Sequence, residues 1–392
     1  MKKIQTLNKI STIGTDLFPR DEYEIASEIL NPDAVLVRSA NMLTMEIPAS
    51  VKAIARAGAG VNNIPVPACT ERGIVVFNTP GANANGVKEL VIAGMLLASR
   101  KIVPGIIWAK GLVGKGDEVP KLIEKGKSEF TGPEIKGKRL GVIGLGAIGV
   151  MVANDAVELG MCVTGYDPFI SVEAAWGLSR EVKRARGLES LLAESDYVTL
   201  HVPLNDQTKG ILNKERFAIM KKGARLLNFA RGGLVNNADL RVAVAEGMVS
   251  VYVTDFPDEE ILSIPQVIGL PHLGASTPES EDNCAIMAVN QLRDFLENGN
   301  IKNSVNHPDC DMGRAPADGV RIIIANKNVP NMVGQVTSIL ATEKINISDM
   351  INRHKGEVAY NIIDIDGRVN DSTIEKLKEI QGVIMVRSIA AG

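Results

Sequence analysis

Two of the four histidines follow apolar runs of the kind that end a β-strand. His201 comes directly after Tyr197-Val198-Thr199-Leu200, and His272 sits in the loop Leu270-Pro271-His272-Leu273-Gly274-Ala275-Ser276-Thr277. His307 lies in a linker-like segment and His354 in the last block of the chain. Arg231 follows the run Ala224 to Asn228, and the acids Asp255, Glu259 and Glu260 follow the run Val249 to Val253. A placed histidine passes protons near neutral pH, and an arginine clamps a carboxylate through two parallel bonds. An acid beside the histidine fixes its tautomer and favours the imidazolium. Together they suit hydride transfer from a 2-hydroxy acid, which needs a base for the hydroxyl, a cation for the carboxylate and a nicotinamide beside the hydride-bearing carbon.

A site for that nicotinamide is written in Gly144-Leu145-Gly146-Ala147-Ile148-Gly149, which follows the apolar run Leu140 to Ile143 and opens a helix. The glycines allow a tight turn and close backbone approach, leaving the helix N-terminal N–H groups to hold a pyrophosphate. Asp167 ends the next strand, at the usual distance of about 20 residues for a carboxylate that binds a ribose diol; its charge also opposes a 2′-phosphate, which favours NAD. No Gly-Lys-Ser/Thr follows the glycines, so a P-loop is excluded. His201, at the same sheet edge, is expected to line the cofactor.

These residues need an α/β scaffold. Ala34 to Val37, Val51 to Ala55 and Gly73 to Phe77 alternate with amphipathic segments, and a helix from about Val87 to Arg100 leads into a second block. There Arg139 to Ile143, Met161 to Tyr166, Tyr197 to Leu200, Ala224 to Asn228 and Val249 to Val253 describe a second doubly wound domain. A helix near Thr277 to Glu297 precedes a stretch rich in Pro, Asp, Asn and Gly. Beyond it the order is βαββαβ, the ferredoxin-like arrangement. The expected domains are 1–98 with 286–305, then 99–285, a linker at 306–317 and a final domain at 318–392.

Composition sets the outer bounds. The 392 residues are 45% hydrophobic and 23% charged, with a net charge of -3, which describes a globular protein without a nucleic-acid partner. The N-terminus has no apolar stretch long enough for a secretory signal, and no run is long enough to span a bilayer, so a cytoplasmic location is expected. Cys69, Cys162, Cys284 and Cys310 are far apart, and neither a metal site nor a disulfide framework is expected.

The ordered set of a mid-chain GxGxxG, Asn228-Phe229-Ala230-Arg231-Gly232-Gly233, an acid cluster and Pro271-His272-Leu273-Gly274-Ala275-Ser276-Thr277 resembles the D-isomer-specific 2-hydroxyacid dehydrogenases over nearly the whole chain. The resemblance implies a substrate domain and an NAD domain. It makes Arg231 the substrate arginine, His272 the acid/base and an acid near Asp255 its partner. The family's run is Asp, an apolar residue, Phe, two variable residues and Glu, whereas this chain reads Asp255-Phe256-Pro257-Asp258-Glu259-Glu260. Spacing from Asp255 selects Glu260 and spacing from Phe256 selects Glu259; Glu260 is preferred.

The cofactor set implied is Gly144, Gly146, Ala147, Ile148, Gly149, Asp167, His201, Val202, Pro203, Thr208, Phe229, Ala230, Arg231, Asp255, His272 and Gly274. The first block is similar to that of members acting on a phosphorylated glycerate. It implies a substrate set of Arg38, Ser39, Arg56, Gly58, Ala59, Gly60, Val61 and Asn83, with the arginines on the phosphate. The reaction implied is oxidation of 3-phospho-D-glycerate in serine biosynthesis; other 2-hydroxy acids and a non-enzymatic NAD-sensing or corepressor role are the alternatives. The final block resembles ACT regulatory domains, which implies an amino-acid effector near Asn326, Asn328 and Asn346. A homodimer or homotetramer is expected.

Overall fold

The computed structural model describes residues 1–390; Ala391 and Gly392 lie outside the described residues. The chain forms two compact units, Met1–Asn83 with Pro278–Gly392, and Ala84–Thr277. The crossovers therefore fall earlier than the expected 98/99 and 285/286. The reason is the helix Ala84–Ser99, whose Val87, Val91, Met95 and Ala98 are buried in the core of the second unit.

In the first unit, β1 (Lys2–Leu7), β2 (Tyr23–Ala26), β3 (Ala34–Val37), β4 (Ala53–Arg56) and β5 (Val75–Phe77) form a parallel sheet in the order β2-β1-β3-β4-β5. All four residues of β3 are buried, as expected of a parallel strand covered on both faces. The helix Pro278–Asn298 covers one face, with Cys284, Ala288, Leu292 and Phe295 in the core. In β1 only Ile4 is buried, so β1 and β2 do not read as apolar runs.

In the second unit, β6 (Arg139–Ile143), β7 (Cys162–Tyr166), β8 (Lys183–Arg184), β9 (Tyr197–Leu200), β10 (Ala224–Asn228), β11 (Val249–Thr254) and β12 (Val267–Gly269) form a parallel sheet in the order β12-β11-β10-β9-β6-β7-β8. The strand order reverses between β6 and β9. In open α/β sheets ligands bind at such a switch point, outside the carboxyl ends of the strands.

The expected βαββαβ order is present in β13 (Gly319–Lys327), β14 (Ile347–Lys355), β15 (Val358–Asp366) and β16 (Val383–Ala390), an antiparallel sheet ordered β14-β15-β13-β16. One face packs Ile322, Ile324 and Ile363 on Val336, Leu340 and Leu377 of the helices Met332–Thr342 and Asp371–Lys378. The other face is covered over its central strands. Its Ile323, Ala325, Tyr360 and Ile362 share a core with Phe77, Phe295, Ile301 and Cys310. Fully buried Arg321 pairs with Asp364 and donates to the carbonyls of Asn298, Met312, Gly313 and Arg314.

Residues 306–317 are accordingly no free linker. Asn306 accepts from the Val76 N–H and donates to the Ile74 carbonyl, extending the β5 edge, and His307 has no exposed surface. A Pro- and Asn-rich composition describes a turn-forming segment; here side-chain carboxamides supply the backbone partners that a regular strand would have supplied.

Candidate active site

The dinucleotide turn forms at the end of β6. Gly144 has φ +92°, and a Cβ there would meet the His201 carbonyl carbon and oxygen at 2.7 Å and the Val202 side chain at 2.9 Å. At Gly149 a Cβ would lie 2.0 Å from the Gly144 carbonyl oxygen, so only glycine lets the helix Ala147–Glu158 approach the turn this closely. Gly146 differs. A Cβ there meets nothing within 4 Å, and no side chain caps the helix. This open space before uncapped helix N–H groups fits a pyrophosphate.

Asp167 directly follows β7 and accepts from the Leu145 and Phe169 N–H groups, each at 2.8 Å. It borders a cavity of about 370 Å³, lined also by Tyr166, Ile170, Ala185 and Arg186, which suits an adenosine. His201 directly follows β9; its Nε2 lies 2.9 Å from Thr199 Oγ1, while its shielded Nδ1 has no partner. Burial holds its pKa down at about 3, so the ring is neutral and is no acid catalyst. Thr208 bonds the Pro203 carbonyl at 2.5 Å and closes the loop after His201. The residues present thus fit a dinucleotide.

Arg231, Asp255 and His272 come together along the same sheet. Asn228, with no exposed surface at the end of β10, accepts from the Ala230 and Arg231 N–H groups and donates to the Arg231 carbonyl at 2.8 Å. It shapes the turn that presents Arg231. The Arg231 guanidinium lies 6.0 Å from the centroid of the Phe256 ring, and the His272 ring lies 4.5 Å from the same ring on centroids. Phe256 therefore borders both the cation and the imidazole. Neither Asn228 nor Phe256 was singled out from sequence as a site residue, although each adjoins one.

Asp255, 3% exposed at the end of β11, has one carboxylate oxygen buried without a hydrogen-bond partner. Burial raises its pKa, and the charges of His272 and Arg231 pull it back. Glu259 and Glu260 sit instead on the exposed first turn of the short helix Glu259–Leu262, and neither bonds His272. The Glu260 backbone carbonyl accepts from Arg241. Of these acids, the one on which the charge of His272 acts is Asp255. Phe229 and Gly274 pack on the helix Ala84–Ser99, where Cβ atoms on Gly94 and Gly274 would meet Phe229 and Val87 at 2.8 and 2.9 Å.

In the first unit, Arg38 pairs with Glu281 at 2.6 Å. Arg56 donates to the Arg38 and Gly60 carbonyls, so much of its fork holds the loop. Gly58 donates to Thr79, and Ser39 to Asn8 at 3.0 Å. The N–H groups of Ala59, Gly60 and Val61 donate to no other group among the described residues. Asn83 is the last residue of this segment.

The three carboxamides expected at an effector site do not converge within one chain. Buried Asn326 accepts from Asn361 and donates to the Lys327 carbonyl, while Asn328 donates to Gly356. Asn346 bonds Asp366 at 2.6 Å. Asp366 faces Gly319 and Val358 faces Lys327, so Asn346 lies at the other end of the β13–β15 pair, a separation of about 25 Å at the rise of an antiparallel strand.

Residues 93–274 match the family model described as D-isomer specific 2-hydroxyacid dehydrogenase, NAD binding domain. The match lies almost wholly within the second unit, which is therefore similar to the NAD-binding domain of this family. Among curated proteins it is similar to D-3-phosphoglycerate dehydrogenase of Methanocaldococcus jannaschii, 34% identical over 87% of this chain and 63% of that protein. The Archaeoglobus fulgidus protein of the same name is 35% identical over 74% of this chain and 54% of its own length. The chain thus spans between about half and two thirds of these relatives. The NAD+-bound 3-phosphoglycerate dehydrogenase structure from Entamoeba histolytica aligns with TM-score 0.58 and 28% identity, covering 78% of this chain and 98% of that one.

Proposed function

We propose that the protein oxidises 3-phospho-D-glycerate to 3-phosphohydroxypyruvate, the first step of L-serine biosynthesis. The observation that carries this reading is the clustering of Arg231 and His272 about the Phe256 ring, with buried Asp255 within reach of both charges, on the sheet that bears the dinucleotide turn. Arg231 holds the substrate carboxylate and polarises the forming carbonyl. His272 takes the hydroxyl proton as the C–H bond breaks, and the buried Asp255 carboxylate stabilises the resulting imidazolium. NAD, when bound, supplies the hydride acceptor. For the phosphate, the unengaged N–H groups of residues 59–61 and the Arg38 guanidinium are the matching donors, with phosphate displacing Glu281 from Arg38.

The likeness to D-3-phosphoglycerate dehydrogenases over 73 to 87% of the chain supports the choice of acid. We also infer a homodimer, supported by the outward Ile102, Ile106 and Ile107 of the apolar helix Ile102–Lys110, each at least 41% exposed. No single helix among the described residues is long and apolar enough to cross a membrane.

The test follows NADH formation with 3-phosphoglycerate, unphosphorylated glycerate and a branched 2-hydroxy acid, together with His272→Ala. The expected result is a strong preference for 3-phosphoglycerate and a loss of about 10²- to 10⁴-fold in kcat in the variant, with NADH binding retained. Turnover of another acid in preference identifies a different dehydrogenase, and NADH binding without any turnover supports the sensor reading.

A further inference from the structure

Two cations and an anion gather at the carboxyl ends of β3 and β4. Arg38 directly follows β3, and Arg56 is the last residue of β4. The Arg56 guanidinium is taken up by its own loop, through the Arg38 and Gly60 carbonyls, and a Cβ on Gly60 would meet it at 2.8 Å. The head of Arg38 is held differently. Its partner is the Glu281 carboxylate at 2.6 Å, and each of the two side chains keeps at least 40% of its surface exposed.

Glu281 stands in the first turn of the helix Pro278–Asn298, three residues before Cys284 and so on the same face. Burial pushes the Cys284 thiol up, Thr79, Arg38 and Arg56 pull it back, and Glu281 adds to the rise, so all three charges reach one buried sulfur. Thr79 in turn accepts from the Gly58 N–H at 2.8 Å. The helix turn itself is pinned: Cys284 is in the core, and Asp282 accepts from the Ser11 hydroxyl at 2.5 Å. Glu281 can therefore leave Arg38 only by turning its side chain, which keeps its charge beside the same loop.

On the substrate reading above, on which this rests, we propose that Glu281 is a specificity-determining gate of the phosphate subsite, a carboxylate that occupies Arg38 until a phosphorylated acid displaces it. A phosphate placed on Arg38 and the N–H groups of residues 59–61 must break the pair with Glu281 and then sit beside the freed carboxylate. An acid held at its other end as well has binding energy to spare for this, whereas inorganic phosphate has none. Discrimination of this kind works through a repulsive element as much as through attraction. A hydroxyl in place of the phosphate brings no charge to Arg38 and leaves the pair intact.

Calorimetric titration of the NADH-bound full chain with 3-phosphoglycerate, inorganic phosphate and unphosphorylated glycerate tests the gate, in the parent and in Glu281→Gln. The pair is partly exposed, so the variant should keep the parent's thermal midpoint. It should bind both phosphate-bearing ligands about three- to tenfold more tightly, with no surface pair to break and no like charge alongside. Glycerate should change by less than about twofold. In an Arg38→Gln background the gain from Glu281→Gln should shrink, since the pair is already gone. Unchanged phosphate binding in Glu281→Gln, or an equal gain for glycerate, overturns the gate and leaves the substrate reading standing. Failure of parent and variant alike to bind either phosphate-bearing ligand overturns both.

Discussion

Asp255 and Glu260 compete for one role, and burial separates them. A carboxylate on an exposed helix turn is screened by water, whereas one 3% exposed acts through a low local dielectric. Asp255→Asn should therefore depress kcat and shift the acidic limb of the pH–rate profile downward, because the imidazolium of His272 loses its stabilising charge. Glu260→Gln should leave both nearly unchanged. Steady-state kinetics of the two variants across pH 5 to 9 decide it, and a large effect in Glu260→Gln alone would return the role to that residue. Spacing could not separate these acids: two registers agree with the motif, and only packing shows which carboxylate is dry. The motif residues themselves, Arg231 and His272, were legible because strand ends place them.

At the scale of elements, the β6 turn and its helix could be read directly, since apolar run, glycines, helix and Asp167 are consecutive and local. The edge strands β1 and β2 could not, because Lys2, Lys3, Gln5 and Thr6 give them no apolar run. The three glycines also carry different duties. Gly144 and Gly149 are required by contacts at 2.7 and 2.0 Å, but Gly146 faces open space. Gly146→Ala should accordingly fold with an unchanged thermal midpoint and bind NADH at least tenfold more weakly, as the added methyl intrudes on the pyrophosphate. Fluorescence titration beside thermal unfolding checks this, and a parallel fall in both would mean that Gly146 is structural.

The boundaries of the whole molecule were the least legible part, because the packing of the last sheet depends on contacts far apart in sequence. A polar Arg321 in an apolar strand carries no hint that Asp364 and four carbonyls await it. Breaking such a buried pair by Asp364→Asn should cost about 3–5 kcal/mol, measured by denaturant unfolding. Acid should loosen the same core. Burial lowers the His307 pKa from the usual 6.5 to about 4, so as pH falls through this window the unfolded chain takes a proton that the folded one resists. Stability should hold above about pH 6.5 and decline below it, with His201 contributing in the same direction. His307→Leu should flatten part of that decline in unfolding midpoints compared at pH 7.5 and 5.

The split of the first unit into residues 1–83 and 278–392 sets an order of events during synthesis. The second unit is contiguous and can close as soon as it emerges, whereas the opening strands must wait for nearly 200 further residues before the helix and sheet that cover them exist. Both tryptophans, Trp108 and Trp176, belong to the contiguous unit. On refolding from denaturant, the fluorescence of Trp108, which packs on Phe130, should recover ahead of the far-ultraviolet circular dichroism, and coincident recovery would show that the two units fold as one.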